Sequence, residues 1–206
     1  MNIGLFGGTF DPIHLGHVTI ATAAREAVPL DEVHFIPCRR SPAKAKATVA
    51  GMDERCAMIE LAIAKLPWAR LSRIELDRPG HQPGYSWQTV AAYRNARPGD
   101  HLFWILGEDQ WNAIDTWARP DYLARAVTFV VFPRQGRPLP RPGFRLIPLE
   151  VRHPASATAV REQGRVEFLD PKVKAYAERH RLYVGQGSRE AAAGAGAVDG
   201  ALEAGT

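Results

Sequence analysis

The sequence of 206 residues predicts an α/β protein with a Rossmann-like, doubly wound parallel sheet, helices on both faces of the sheet and a small helical part at the C-terminal end. Three observations support this fold class. Short apolar runs alternate with stretches long enough for helices, as in successive βαβ units. The later runs are β-branched or aromatic without polar alternation, which is typical of strands buried on both faces. The first run stops at two glycines that lead directly into a helical stretch.

The predicted elements follow one another in a regular order. Strands are predicted at 3–6, 33–36, 71–76, 102–106 and 127–132. Helices are predicted at 15–27, from Asp53 onward and at 86–94, with Asp53 and Ser86 as the capping residues of the last two. Such sheets bind ligands beyond the carboxyl ends of their strands, where the strand order reverses. This rule selects the Gly7-Gly8 turn, the loop 38–44 and the segment after Leu106.

Composition is that of a globular protein, with 46% hydrophobic and 23% charged residues. The net charge of +4 fits a site for anionic substrates and equally fits a nucleic-acid binder. Much of the positive excess lies in 133–148, where four arginines alternate with five prolines, and we interpret this stretch as a solvated irregular loop. Cys38 and Cys56 are too few and too widely spaced for a disulfide framework or a metal site, which favours a reducing compartment.

The two ends of the chain carry no predicted chemistry. The N-terminal residues lack the basic region and the long apolar run of a targeting signal, and no stretch is apolar enough to span a membrane, so we expect a cytoplasmic protein. Twelve of the 21 residues in 186–206 are glycine or alanine, and we expect a disordered tail there. Residues 1–185 are expected to form the one functional domain.

The informative segment follows the first strand: Gly7-Gly8-Thr9-Phe10-Asp11-Pro12-Ile13-His14-Leu15-Gly16-His17. Glycines at a strand end let the backbone approach a bulky anion. The helix that starts near His14 offers free amides and the positive end of its dipole. His14 and His17 fall on one face of its first turn. These features together predict a phosphate-binding turn.

Other interpretations of this segment remain. It fits neither the GxGxxG pattern nor the GxxxxGK(S/T) phosphate loop. The two histidines could be half of a zinc site, although the glutamate of an HExxH pattern and a third ligand are missing, or they could be incidental.

The segment resembles the signature of the HxGH nucleotidyltransferase superfamily, and in particular that of bacterial nicotinate-mononucleotide adenylyltransferases. Four more segments carry the resemblance along the chain, and together they cover about residues 1–185: Ser41-Pro42-Ala43-Lys44, Tyr85-Ser86 with Thr89, Ile105-Leu106-Gly107-Glu108-Asp109 followed by Trp117, and Ser156-Ala157-Thr158-Ala159-Val160-Arg161. Ala43 stands where the family has a histidine.

The resemblance implies an adenylyltransferase of NAD biosynthesis, which joins the adenylyl group of ATP to the phosphate of nicotinate mononucleotide and releases pyrophosphate. The attacking phosphate oxygen is already ionised, so positioning and electrostatic stabilisation suffice without a general base. Mg²⁺ is expected to arrive with ATP, held by phosphate oxygens and water, and no metal site of the protein itself is predicted.

The resemblance also assigns residues. It implies catalytic roles for His14, His17 and Arg161, and a charged His17 that stabilises the transition state. The ATP-binding residues it implies are Gly7, Gly8, Thr9, Phe10, His14, His17, Gly107, Asp109, Ser156, Thr158 and Arg161. The mononucleotide-binding residues it implies are Lys44, Tyr85, Ser86 and Trp117.

Structural interpretations compete at single positions: helix capping for Ser156, Thr158 and Asp109, plain solvent exposure for Lys44 and Arg161, and core packing for Trp117. Two other functions also compete. One is a related HxGH enzyme with another phosphorylated acceptor such as phosphopantetheine. The other is a non-catalytic nucleotide- or RNA-binding module, which the lack of interleaved aromatic and basic residues disfavours. We expect neither a nucleic-acid nor a membrane partner, and the sequence leaves open a homo-oligomer.

Overall fold

The computed structural model describes residues 1–39, 47–79, 84–134 and 136–183. Its sheet is parallel throughout, with the strand order β3-β2-β1-β4-β5-β6. The order reverses between β1 and β4, as in a doubly wound fold. The strands are β1 (Asn2–Gly8), β2 (Glu32–Pro37), β3 (Ala69–Leu71), β4 (His101–Gly107), β5 (Thr128–Phe132) and β6 (Leu146–Pro148).

Helices cover both faces of this sheet, so the predicted fold class is confirmed. They are α1 (Leu15–Ala27), α2 (Met52–Ile63), α3 (Ser86–Ala96), α4 (Glu108–Asn112), α5 (Pro120–Ala126), α6 (Ala157–Gln163) and α7 (Pro171–Arg179), with 3-10 turns at Ile114–Thr116 and Val166–Phe168. The last two α-helices form the small C-terminal helical part. No helix in the described ranges is long and apolar enough to cross a membrane.

The core has two halves because successive strand residues point to opposite faces. On one face Phe6, Val130 and Phe132 pack with buried residues of α1, α2 and α7. On the other face Leu5 and Phe129 pack with buried residues of α3, α4 and α5. Strands β1, β2, β4 and β5 are buried on both faces over most of their length, as their largely apolar runs predict.

Three predictions about element ends are wrong. The third strand ends at Leu71 and does not run through 71–76, because the chain then turns, with the amide of Asp77 donating to the carbonyl of Arg73. Gly51 and Tyr85 are the N-caps of α2 and α3, so Asp53 and Ser86 lie inside the first turn of their helices.

Both helix starts have the same physical cause. Glu54 accepts a hydrogen bond from the amide of Gly51 at 2.7 Å, and Gln88 accepts one from the amide of Tyr85 at 3.2 Å. A glutamate or glutamine at the third helical position thus fixes where each helix begins. The described residues of 133–145, 133–134 and 136–145, form no helix or strand, as predicted, but the stretch then ends in β6.

Candidate active site

A cavity of about 630 Å³ opens beyond the carboxyl ends of β1 and β4, where the strand order reverses. This is the place that the strand-end rule selects. Its walls come from the ends of β1, β2, β4 and β5 and from the first turns of α3 and α4. Among the residues that line it are Gly7, Gly8, Thr9, His17, Tyr85, Ser86, Gly107, Asp109 and Trp117, which the sequence had assigned, and Cys38, Glu75, Trp104 and Arg134, which it had not.

The turn after β1 is shaped by an aromatic ring beneath it. A β-carbon on Gly8 would lie only 2.9 Å from the ring of Phe10, so glycine is required here for close packing inside the protein as well as for access to a ligand. Phe10 is 2% exposed and packs against Phe6 and Phe35. It lines neither the large cavity nor the smaller recess beside it, so its ring supports the turn from below.

His14 and His17 form a stacked pair at the start of α1. Their ring centroids are 3.7 Å apart, and the backbone amide of His14 donates to Nδ1 of His17 at 3.2 Å. Because Nδ1 of His17 accepts this bond, the ring carries its proton on Nε2 and is neutral while the bond is made. His17 is also half-buried rather than exposed, with Phe10 at 4.9 Å between ring centroids.

His14 is buried, and its charge is suppressed. Burial lowers the pKa of His14 to about 4, and the nearby His153 and Arg134 contribute to the same shift. Nδ1 of His14 has no hydrogen-bond partner in the described part of the chain. A β-carbon on Gly16 would lie 3.0 Å from this nitrogen and 3.3 Å from Nδ1 of His153, so glycine makes room between the two imidazoles.

A second recess of about 60 Å³ adjoins the histidine pair. His17 and Arg134 line both this recess and the large cavity, whereas His14 and His153 line only the recess. Its lining contains no acidic residue. The two spaces therefore share one wall, formed by His17, Phe132 and Arg134, and the imidazole and guanidinium of that wall are donors for anions.

Asp11 ties the signature turn to two distant segments. Its carboxylate is 4% exposed and accepts hydrogen bonds from the amides of Val49 and Ala50 at 2.9 and 3.0 Å. The hydroxyl of Tyr183 donates to the same carboxylate at 2.7 Å. Burial and this carboxylate together raise the pKa of Tyr183. Asp11 therefore shapes the turn, as predicted, and also anchors the end of the described chain.

The segment 156–161 contacts the turn after β1 through Arg161. Nη1 of Arg161 donates to the backbone carbonyl of Asp11 at 2.5 Å, and Nη2 lies 3.4 Å from the hydroxyl of Thr158. Ser156 is the N-cap of α6, where its hydroxyl accepts from the amide of Ala159 at 3.0 Å. Ser156 therefore acts as a helix cap in this structure. None of the three residues of this motif lines either cavity.

The far end of the large cavity is aromatic. Trp117 is half-buried and packs edge-to-face on Trp104, with ring centroids 6.4 Å apart. Trp117 therefore faces the cavity, and Trp111, not Trp117, is the tryptophan that is fully buried. Tyr85 and Ser86 line the same cavity from the start of α3.

Glu75 contributes an unforeseen carboxyl group to this end. It is 8% exposed, and its Oε1 accepts from the hydroxyl of Thr89 at 2.7 Å. Burial raises the pKa of Glu75, against the opposing effects of Thr89 and Arg78. A β-carbon on Gly84 would lie 2.7 Å from Oε2. This end of the cavity therefore combines aromatic faces, a hydroxyl and one buried carboxyl group.

Asp109 and Arg134 form the rim between β4 and β5. Asp109 lies in the first turn of α4, exposed, with Oδ2 3.6 Å from Nε of Arg134. Glu108 beside it accepts from the amide of Arg134 at 2.7 Å and from that of Gly136 at 3.1 Å. The loop after β5 is thus tied to α4, which holds Arg134 over the cavity.

Comparison with known sequences identifies the family. The model of the cytidylyltransferase-like family matches residues 5–163. The chain belongs to this family. It is 41% identical over 189 residues to a protein of Thermus thermophilus named probable nicotinate-nucleotide adenylyltransferase, and the match covers 89% of this chain and 100% of that protein. A protein of the same name from Solibacter usitatus is 39% identical, with the same coverage of both chains.

Solved structures show the same fold for this cytidylyltransferase-like chain. The nicotinic acid mononucleotide adenylyltransferase of Plasmodium falciparum, solved in complex with NaAD, matches with a TM-score of 0.72 at 17% identity. The match covers 88% of this chain and 97% of that one.

Sequence reasoning missed several residues that the structure places at the cavities, among them Arg134, His153 and Glu75. Arg134 lies two residues after the end of β5, so the strand-end rule could have found it. His153 and Glu75 carry weaker signals: His153 lies three residues before Ser156, and Glu75 was placed in a strand. The predicted Lys44, the loop 41–44 and the tail 186–206 lie outside the described residues.

Proposed function

We propose that this cytidylyltransferase-like chain is a nicotinate-nucleotide adenylyltransferase. The observation that carries the proposal is a single cavity with two chemically different ends at the strand-order reversal. One end has Arg134 and His17, the member of the stacked pair that lines the cavity, at the start of a helix. The other has two tryptophans, Tyr85 and Ser86. An anionic donor fits the first end and a flat aromatic acceptor fits the second. The relatives named above act, by their names, on nicotinate nucleotides.

The reaction joins two phosphates. An oxygen of the nicotinate mononucleotide phosphate attacks the α-phosphorus of ATP, the bond from that phosphorus to the bridging oxygen of the pyrophosphate breaks, and nicotinate adenine dinucleotide and pyrophosphate are released. The attacking oxygen needs no base. The protein has to hold two anions in line and stabilise the charge that moves to the leaving group.

We assign the central role to His17. Its Nδ1 is engaged by the backbone amide of His14, so Nε2 carries the proton and serves as a hydrogen-bond donor to phosphate oxygen. A neutral imidazole fulfils this role, so a charged His17 is not required. His14 is neutral as well, and its buried ring holds His17 by stacking at 3.7 Å. Nδ1 of His14 is buried without a hydrogen-bond partner in the described chain, and the residue lines only the small recess.

The other residues of the ATP side are assigned by position. Gly7, Gly8, Thr9 and Gly107 let the phosphates approach the strand ends, and Asp109 accepts hydrogen bonds from ribose hydroxyls. Arg134, on the wall shared by both spaces, supplies positive charge to the polyphosphate. Ser156, Thr158 and Arg161 act through the shape of the turn, since Arg161 holds the carbonyl of Asp11.

On the acceptor side Trp117 stacks on the pyridine ring, while Tyr85 and Ser86 contact its carboxylate. Mg²⁺ would enter with ATP, bound by phosphate oxygens and water. Within the described ranges, no group of three or more acidic, histidine or cysteine side chains could hold a metal ion. Lys44 is proposed as a further phosphate contact on the strength of the family pattern alone.

An acceptor panel tests the proposal. Purified protein with ATP and Mg²⁺ is given nicotinate mononucleotide, nicotinamide mononucleotide or phosphopantetheine, and pyrophosphate release is followed together with the mass of the product. We expect release with nicotinate mononucleotide and a product of the mass of nicotinate adenine dinucleotide. Release with phosphopantetheine alone would assign the chain to another branch of the family. Binding of ATP without release on any acceptor would contradict an enzymatic role.

A further inference from the structure

Arg55 is a large charged residue at the centre of the protein. It lies in the first turn of α2 and is 0% exposed. Burial of an arginine is costly unless its charge is compensated, yet Arg55 makes no ion pair with any residue of the described ranges, and its Nε has no hydrogen-bond partner there. An apolar side chain of similar size would fill this space at lower cost if packing were its only purpose.

The two hydrogen bonds that Arg55 does make point to another purpose. Its Nη1 donates to the backbone carbonyl of Thr9 and to that of Cys38, both at 2.8 Å. Thr9 directly follows β1 and Cys38 directly follows β2. Both residues line the large cavity. One guanidinium nitrogen therefore joins the two loops that leave the sheet beside the site.

This bridge extends the sheet beyond its last backbone bond. The parallel ladder of β1 and β2 ends at the pair Gly8 and Pro37, and the amide of Cys38 then donates to the carbonyl of Gly8 at 2.9 Å. Beyond this bond the two segments leave the sheet. Because Arg55 is fully buried, the carbonyls that it holds face the interior, so their negative ends are kept away from an anion in the cavity.

The charge of Arg55 adds to this effect. A permanent positive charge behind the turn, without a carboxylate partner in the described chain, produces a favourable potential for anions in front of the turn, and low-dielectric surroundings screen it little. The anion that balances it would be a phosphate of the substrate.

We infer that Arg55 is a positioning residue that fixes the two strand-end loops around the polyphosphate and supplies buried positive charge to it. The inference rests on the proposed function for the identity of the anion. It assigns Arg55 no contact with the substrate. Arg55 acts on the substrate indirectly, by fixing the carbonyls of Thr9 and Cys38 and by making the electrostatic potential in the cavity more favourable for anions.

The test compares three variants, Arg55→Met, Arg55→Lys and Arg55→Gln, with Arg70→Met as the matched control. Arg70 undergoes the same chemical change on β3, where its side chain is 49% exposed and pairs with Glu32. Thermal unfolding and circular dichroism establish which variants are folded. Calorimetry then measures the dissociation constants of ATP and of adenosine, and turnover gives kcat and KM.

For folded Arg55→Met we expect ATP affinity and kcat to fall by roughly 10- to 100-fold, the usual range for misplacement of groups around a reacting phosphate. Adenosine affinity should stay within about twofold of wild type in that variant, because adenosine carries no phosphate charge. Arg70→Met should match wild type in every measurement. Wild-type ATP affinity and kcat in a folded Arg55→Met protein would overturn the inference.

If Arg55→Met does not fold, the other two variants decide. Lysine keeps the charge and can still donate to a carbonyl, whereas glutamine can donate without charge. We expect Arg55→Lys to bind ATP more tightly than Arg55→Gln while both bind adenosine equally. Equal ATP affinity in the two variants would refute the electrostatic role. Because these binding measurements use no acceptor, they remain decisive even if nicotinate mononucleotide proves not to be the substrate.

Discussion

The buried His14 should make the stability of this protein fall in mildly acidic solution by an amount that the structure allows us to calculate. Burial lowers the pKa of His14 from 6.5 to about 4 in the folded chain, whereas the unfolded chain has the ordinary value. The unfolded state therefore binds a proton more readily. The free energy of unfolding is highest above pH 6.5, declines as the pH falls toward 4, and loses nothing more from this group below that.

The size of the effect follows from the two pKa values. At pH 5.5 the ring is about nine-tenths protonated in the unfolded chain and almost entirely neutral in the folded one, which destabilises the fold by about 1.4 kcal/mol. At pH 7.5 the same penalty is below about 0.1 kcal/mol. The contribution of His14 to the loss of stability between these pH values is thus about 1.3 kcal/mol.

Urea unfolding of wild type and His14→Gln at pH 7.5 and 5.5 measures this contribution. Glutamine does not titrate in this range, and the other groups, including His34, whose pKa burial also lowers, titrate in both proteins. The wild type should therefore lose about 1.3 kcal/mol more than the variant between the two pH values, with similar urea dependence in all four experiments. Equal losses in the two proteins would refute the reasoning that His14 is neutral because it is buried.

Two other predictions concern the signature turn and the tail. His17→Ala should lower turnover by roughly 10²- to 10³-fold as a phosphate donor is lost. His17→Asn should do the same while restoring the acceptor for the amide of His14, so that near-normal turnover in folded His17→Asn would remove Nε2 from the mechanism. Truncation after Gly185 should leave activity and melting temperature unchanged, whereas truncation after Leu182 also removes Tyr183 and its bond to Asp11. We expect the shorter protein to melt several degrees lower, and a similar drop in the longer one would show that the tail docks.

The fold could be predicted from the sequence because its main signals are local. The runs that became β1, β2, β4 and β5 are apolar apart from His34 and Thr128, and α1 begins and ends where its periodicity predicts. Short elements carry weaker signals. The strand β3 has three residues, and β6 lies in a stretch whose arginines and prolines are typical of loops. What makes them strands is pairing with neighbours that are distant in sequence.

The site was predictable where residues lie at strand ends and not where they act from the interior. Gly7, His17 and Trp117 are on the cavity wall, and their positions follow from the strand-end rule together with the resemblance. Arg55 had no such signal, because a single arginine in an amphipathic helix is typical of a solvated surface. Only the packing of α2 against the sheet turns its side chain inward.

At the acceptor end of the cavity, we expect the acid form of the mononucleotide to be favoured over the amide form. Tyr85 and Ser86 offer the helix start that suits a carboxylate, but Glu75 places a second carboxyl group nearby. Its pKa is raised by burial, so at lower pH it is neutral and can donate to the substrate carboxylate. As the pH rises through that raised pKa, Glu75 ionises, and its carboxylate then repels the carboxylate of the acid substrate and can accept a hydrogen bond from the amide substrate. Arg78 and Thr89 act against the rise in this pKa, because both favour the ionised form of Glu75.

Hydrogen-bond mismatches of this kind cost about 1–3 kcal/mol each, so we expect the acid to be preferred by on the order of 10- to 100-fold in kcat/KM while Glu75 is protonated, and by less as the pH rises through the raised pKa of Glu75. Both substrates carry the same phosphate, so its titration cancels in the ratio. Glu75→Gln should make the ratio independent of pH, and Trp117→Ala should raise KM for both substrates alike. Equal kcat/KM values for acid and amide in the wild type at every pH would contradict an acid-selective pocket, because neither ionisation state of Glu75 would then matter to recognition.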